Sequence, residues 1–168
     1  MLEILPLALL FLAQTAGLVP AEFKVPTRLG RKDYQLVPLG PQLARHDFDA
    51  YMSSIKHIRS NFGSGTWPTA GITMADAVKD VEGEEERFKA RKSFTYAVLS
   101  PDGARELGCV YIQPARAADR DAGHDAVVAL WTTKKAFDAG LQAKLEKDVP
   151  AWLRQAWPFK NALYRNKR

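Results

Sequence analysis

The stretch SFTYAVLSPDGARELGCVYIQP, residues 93–114, constrains the fold more than any other part of the chain. Two runs rich in β-branched and aromatic residues flank Pro101-Asp102-Gly103-Ala104. Pro presets its own φ there and Gly supplies a positive one, so the chain turns back on itself as a hairpin. A loop rich in Ala, Arg and Asp follows (Ala115–Asp125), and then a third run, DAVVALWTT, β-branched at its centre. Consecutive strands bounded by helical segments predict an α+β domain with a mixed, mainly antiparallel sheet flanked by helices.

The flanking segments fit that frame. YQLVPL (Tyr34–Leu39) reads as a first strand, with Pro38 near its end as an edge or strand terminus requires. Gly40-Pro41 breaks the chain before a helix expected from about Leu43 to Phe62. Phe48, Met52, Ile55, Ile58 and Phe62 recur there at three- and four-residue steps, and Gly63 is its expected stop. Thr73 reads as the N-cap of a second helix, with Asp76 completing a capping box. Met74, Val78, Val81 and Phe88 would be buried, and Glu82, Glu84, Glu85 and Glu86 solvated. A further helix is expected from Asp138 to about Trp157, broken at Pro150, with Asp148 capping the second piece. NALYR suits a final short strand. The predicted order is β–α–α–β–β–β–α–β.

At 168 residues the chain suits one domain with a real core. Residues 1–21 stand apart as a hydrophobic leader or N-terminal helix, leaving 22–168 as the domain. Val19-Pro20-Ala21 would suit a signal peptidase, yet Glu3 is present and no Lys or Arg precedes the apolar run. A packed helix and a start codon placed too early remain open beside a cleaved export signal. The run is too short and interrupted for a stable membrane span. A lone Cys109 excludes an intrachain disulfide, and His46, His57 and His124 are too scattered for a histidine-rich metal site, so no metal is expected. From Lys134 onward nine Lys/Arg stand against three Asp/Glu. Such a region attracts anions. It lacks a recognition helix or aromatic platform, so no nucleic acid is expected.

YQLVPLGP, the hairpin, and DAVVALWTT running into KKAFDAGLQ together resemble the Gcn5-related N-acetyltransferase superfamily, over roughly Phe23 to Tyr164. The resemblance implies an acyl group moved from acetyl-CoA to a small-molecule or other amine. In that family the strand before the last helix leads into a Q/R-x-x-G-x-G/A loop whose amides hold the pyrophosphate of coenzyme A. Here only Gly140 matches. Phe137 stands where Gln or Arg is usual, and Gln142 where a small residue lets the backbone approach a phosphate.

Carried onto this sequence, the resemblance assigns the cofactor to Trp131, Thr132, Thr133, Lys134, Lys135, Gly140 and Leu141, with an amide from residues 131–133 polarising the thioester. Asp138 reads as the N-cap of the following helix. The family's late tyrosine acid has no counterpart, because Tyr164 does not sit at the expected place. Candidates for the general base are Asp125 and Glu106, with His124 beside them. Trp67, in the loop between the first two helices, would face the acceptor. Mid-strand Cys109 reads as a buried structural cysteine. The altered loop equally suits a non-catalytic descendant of the fold that binds another small molecule or a protein. Use of acetyl-CoA would imply a cytoplasmic protein, and a working leader an exported one.

Overall fold

The computed structural model describes residues 17–62 and 65–165. Its strands, β1 (Leu29–Gly30), β2 (Gln35–Pro38), β3 (Phe94–Leu99), β4 (Glu106–Pro114), β5 (Ala126–Thr132) and β6 (Ala162–Tyr164), form a single sheet in chain order. Neighbours are antiparallel except β5 and β6, which run parallel from the Ala126–Ala162 pair. The helices are α1 (Ala44–Met52), α2 (Ile55–Asn61), α3 (Met74–Lys89), α4 (Ala117–Asp121), α5 (Lys134–Asp138) and α6 (Leu141–Ala156). A 3₁₀ turn over Pro41–Leu43 leads into α1.

Alternation along the strands sorts the core into two layers. Phe94, Tyr96 and Val98 face α6 together with Val110, Ile112, Val128 and Leu130, and meet Leu145, Val149, Trp152 and Leu153. Ala97, Leu99, Cys109 and Trp131 face the other way, onto Ala50 and Tyr51 of α1, Ile58 of α2, and Ala77 and Val81 of α3. Strand β3 is buried along its whole length, as expected of a strand covered on both faces.

The capping box at Thr73 forms: Asp76 N–H donates to Thr73 Oγ1 (3.2 Å) and Thr73 N–H to Asp76 Oδ2 (2.9 Å). Other expectations need correction. The helix over 43–62 is two helices, because Ser53 Oγ donates to Ala50 O (2.7 Å) and Ser54 leaves the helical region at φ −137°. Serine hydroxyls compete with the helical ladder in this way. Glu84 is not on a solvated face: it accepts from Thr95 Oγ1 (2.6 Å) and pairs with Arg87 (2.8 Å). Helix α6 runs unbroken through Pro150, its apolar stripe gripped by the sheet on both sides of the proline. Asp148 therefore caps nothing and accepts from Tyr34 OH (2.8 Å). Gly140, at φ 79°, is the N-cap of α6, and Asp138 closes α5. The residue-115 loop contains α4, and β1 pairs ahead of the expected first strand.

Gly63 and the leader through residue 16 lie outside the described residues. The leader's described end packs on the domain, with Val19 in the α6-side core and Leu18 N–H donating to Arg91 O (2.7 Å). No helix among the described residues is long and apolar enough to cross a membrane. Several C-terminal cations are paired, Lys134 with Asp138, Lys144 with Asp33 and Arg165 with Asp119.

Candidate active site

A β-bulge builds the site. Val98 pairs with Gly108 and Leu99 with Glu106, so β4 carries one extra residue there. One extra residue reverses the side-chain alternation beyond it. Leu107 consequently packs with the α6-side core, while Glu106 turns to the opposite face, beside Cys109. Gly108 permits the bulge: a Cβ there would lie 2.0 Å from Trp131 O, at a φ of 158°, so only glycine fits between the strands.

Glu106 meets two other polar groups on that face. Cys109 Sγ lies 3.1 Å from Glu106 Oε1 and 3.5 Å from Asp47 Oδ1, its thiol donating toward both. Asp47, Glu106 and Cys109 are 4%, 6% and 0% exposed. The nearest carboxyl oxygens of Asp47 and Glu106 and the Cys109 sulfur all lie within 4.8 Å of one another, so close that two buried carboxylates there strongly disfavour being ionised together. Burial, reinforced by Asp80 and Glu84 after its bonds to Glu106 and Cys109 are set against it, pushes Asp47 up to about 6. Burial and then the Asp47 charge raise Glu106 well above the usual carboxylate range. Burial likewise raises the Cys109 thiol, so it is no thiolate nucleophile.

Glu106 also lines a cleft of about 1020 Å³, at the upper end of small-molecule sites, roughly 300–1,000 Å³. Its walls are the C-terminal half of α1 with Ser53 and Ser54, the start of β4, the turn from β5 into α5, and the beginning of α6. Its rim carries Arg45, Arg105, Lys134, Lys135 and Lys144. Arg45 is paired with Asp49 (2.9 Å), Lys134 with Asp138 (2.5 Å) and Lys144 with Asp33. Arg105 and Lys135 have no ion pair among the described residues.

The connection after β5 is a short helix, not an open loop, and its amides are largely spent. Thr133 N–H donates to Leu107 O (2.8 Å), Lys134 N–H to Ser54 Oγ (2.9 Å), Ala136 N–H to Thr133 Oγ1 (3.2 Å) and Phe137 N–H to Thr133 O (2.8 Å). Because Thr133 points its N–H at β4, strand alternation points that of Trp131 the same way. Only Thr132 of residues 131–133 directs its N–H away from β4.

Of the residues the sequence singled out, the cleft gathers Glu106, Thr133, Lys134, Lys135 and Leu141. Trp131 lies in the core beneath it, its Nε1–H donating to Tyr111 OH (3.1 Å). Thr132 is fully buried and donates to Gln142 Oε1 (3.3 Å). Gly140 does not line the cleft, and its Cα faces open space. Trp67 packs on Tyr51 and Trp131, with ring centroids 5.3 and 5.9 Å away. Asp125 sits at the opposite end of β5, roughly 25 Å from Thr133 at about 3.3 Å per residue. There it accepts from Lys160 N–H (2.6 Å) and Asn161 N–H (3.2 Å), fastening β6. His124 joins it, with Nδ1 3.2 Å from Asn161 O. Sequence reading missed Asp47 and Ser54. Asp47 could have been found, since it lies three residues after Ala44 and four before Tyr51, on the buried stripe of α1.

No protein-family model matches the sequence, and no curated protein matches it in sequence. Solved structures are similar in fold. The ribosomal-protein-S5-alanine acetyltransferase from Vibrio fischeri aligns at 14% identity over 78% of this chain and 69% of its own, TM-score 0.59. A protein described as a GnaT-family acetyltransferase from Bordetella pertussis aligns at 17% identity over 83% and 78%, TM-score 0.55. RimL, a ribosomal L7/L12 alpha-N-protein acetyltransferase solved in complex with coenzyme A, aligns at 11% identity over 78% and 68%, TM-score 0.54. The chain has the Gcn5-related N-acetyltransferase fold.

Proposed function

We propose that this protein transfers an acyl group from an acyl-coenzyme A, acetyl-CoA first among them, to an amine, with Glu106 at the cleft floor receiving the amine's proton. The observation that carries the reading is the meeting of a buried carboxyl group and unpaired cations in one cleft at the end of β5. The fold supports it, since the similar structures include acetyltransferases, among them a coenzyme A complex.

The residues fit the donor through side chains. Arg105 and Lys135 supply positive charge for phosphate oxygens, where the backbone amides of α5 are largely spent. Acyl-CoA brings an activated thioester carbonyl; the amine nitrogen bonds to its carbon and the thiolate leaves. The chain's part is to hold the phosphates at the rim, keep the reacting end in a water-poor cleft, and take up the proton at Glu106.

Acetyl transfer to a panel of small amines and peptide N-termini tests the reading. Glu106→Gln should lower kcat by about 100-fold, the lower end of general-base effects, while leaving coenzyme A affinity unchanged. Transfer at the wild-type rate in that variant would remove Glu106 from the mechanism. A second reading, a non-catalytic binder of another small molecule or a protein, is favoured by the bond from Lys134 N–H to Ser54 Oγ. It predicts no transfer to any amine.

A further inference from the structure

We propose that Glu106 does not work alone: Asp47 on α1 and Glu106 on β4 hold one proton between them, and when Glu106 takes the acceptor's proton the shared one passes to Asp47. The catalytic half of this inference rests on the acyl-transfer reading above. The proton-sharing half does not.

The geometry carries it. Asp47 and Glu106 arrive from opposite sides of a buried contact, and Cys109, from β4, aims its single S–H at both. Among the described residues no cation forms an ion pair with either. The charges acting on Asp47 come from Asp80 and Glu84 on α3, and the charge acting on Glu106 comes from Asp47. Tyr51 on α1 and Tyr111 on β4 face the same group, each held protonated by burial and by the Asp47 charge. Two buried carboxylates within 4.8 Å of each other, beside further acids, cannot both be ionised near neutral pH. Near neutral pH the pair therefore carries one proton and one negative charge, and titrates as a unit.

That state suits proton uptake. Glu106 Oε2 is a buried atom with no hydrogen-bond partner among the described residues, and Glu106 is the member of the pair that lines the cleft. As the amine nitrogen bonds to the acyl carbon, its proton passes to Glu106, and the proton already shared moves onto Asp47. The pair ends with two protons and no charge, and the balance closes with the departing thiolate. Asp47 never touches substrate. It is a positioning residue that acts through Glu106.

Infrared difference spectroscopy of the full chain tests the pair without turnover. Wild type should show a protonated carboxyl C=O band persisting to about pH 8, where an ordinary glutamate, with a pKa of about 4.3, is ionised. Glu106→Gln should remove it. Asp47→Asn, which deletes the like charge, should move its midpoint down by roughly one unit or more and change the pH profile of kcat/KM while leaving KM for acyl-CoA in place. A band missing from wild type, or unmoved in Asp47→Asn, would overturn the pair whatever the activity. So would stoichiometric Co²⁺ binding with a sulfur-to-cobalt charge-transfer band lost in Cys109→Ala, because a cation would then hold the cluster together. If the band behaves as expected and no amine is acetylated, the proton pair stands and the acyl-transfer reading falls.

Discussion

Asp47 shows how one buried carboxylate can shape both stability and chemistry. Its folded pKa is raised from 3.8 to about 6, chiefly by burial, and that of Glu106 is raised further. A raised carboxyl favours the folded state while protonated. Its stabilisation is complete below about pH 4, the unfolded value, and is lost as pH rises through the folded pKa. Asp33, Asp76 and Asp102 are shifted the opposite way by their partners, but solvent screens them. Wild type should therefore lose thermal stability from about pH 4 to about pH 6, and further above that as Glu106 ionises, and Asp47→Asn should lose less. At about pH 8 the variant should melt on the order of 5 °C higher, given about 2–4 °C per kcal/mol for a chain near this size. Melting curves measured across that range decide the matter: parallel pH dependences in the two proteins would show that Asp47 is not held ionised in the core.

Helix α6 carries a conflict between its parts and its context. Pro150 cannot donate to the carbonyl four residues back, which costs about 3 kcal/mol relative to Ala in a helix interior. The helix nevertheless continues, because Leu145 and Val149 before the proline and Trp152 and Leu153 after it are buried against the sheet. Pro150→Ala should raise stability by about 1–3 kcal/mol in urea unfolding; a loss would mean that the helix needs its proline bend to dock. This is also where local reading reached its limit. The strands and the capping box were legible, since β-branched runs, Pro-Asp-Gly-Ala and Thr-x-x-Asp act over a few residues. The Ser53-Ser54 break, the continuous α6 and the bulge at Leu107 depend on partners distant in sequence. Glu106 is a candidate in the sequence, but the face it occupies is set by the bulge, and Asp47 reaches Cys109 from 62 residues away. Asp125 looked equally suited in sequence, yet strand direction carries it to the far end of β5.

Across the whole molecule, the sheet divides the work. Its α6 face holds the larger aromatic core, with Tyr96, Trp152 and Trp157 packed edge to face, as such rings prefer. Its α1–α3 face holds the buried acids Asp47 and Glu106, and the cleft opens where that face meets the end of β5. The connection after β5 is a capped helical turn whose amides are largely spent, so in the proposed function phosphate oxygens are left to the side chains of Arg105 and Lys135. Side-chain charges hold a phosphate less rigidly than aligned amides and are more readily screened by salt. Calorimetric titration of acetyl-CoA into the full chain asks whether those side chains make a working cofactor site. Micromolar binding is expected, weakening with salt, falling by about tenfold or more, at least 1.4 kcal/mol, when Arg105→Glu and Lys135→Glu are combined, and surviving in Glu106→Gln. Absence of heat at millimolar acetyl-CoA, or undiminished affinity in the double variant, would contradict the proposal.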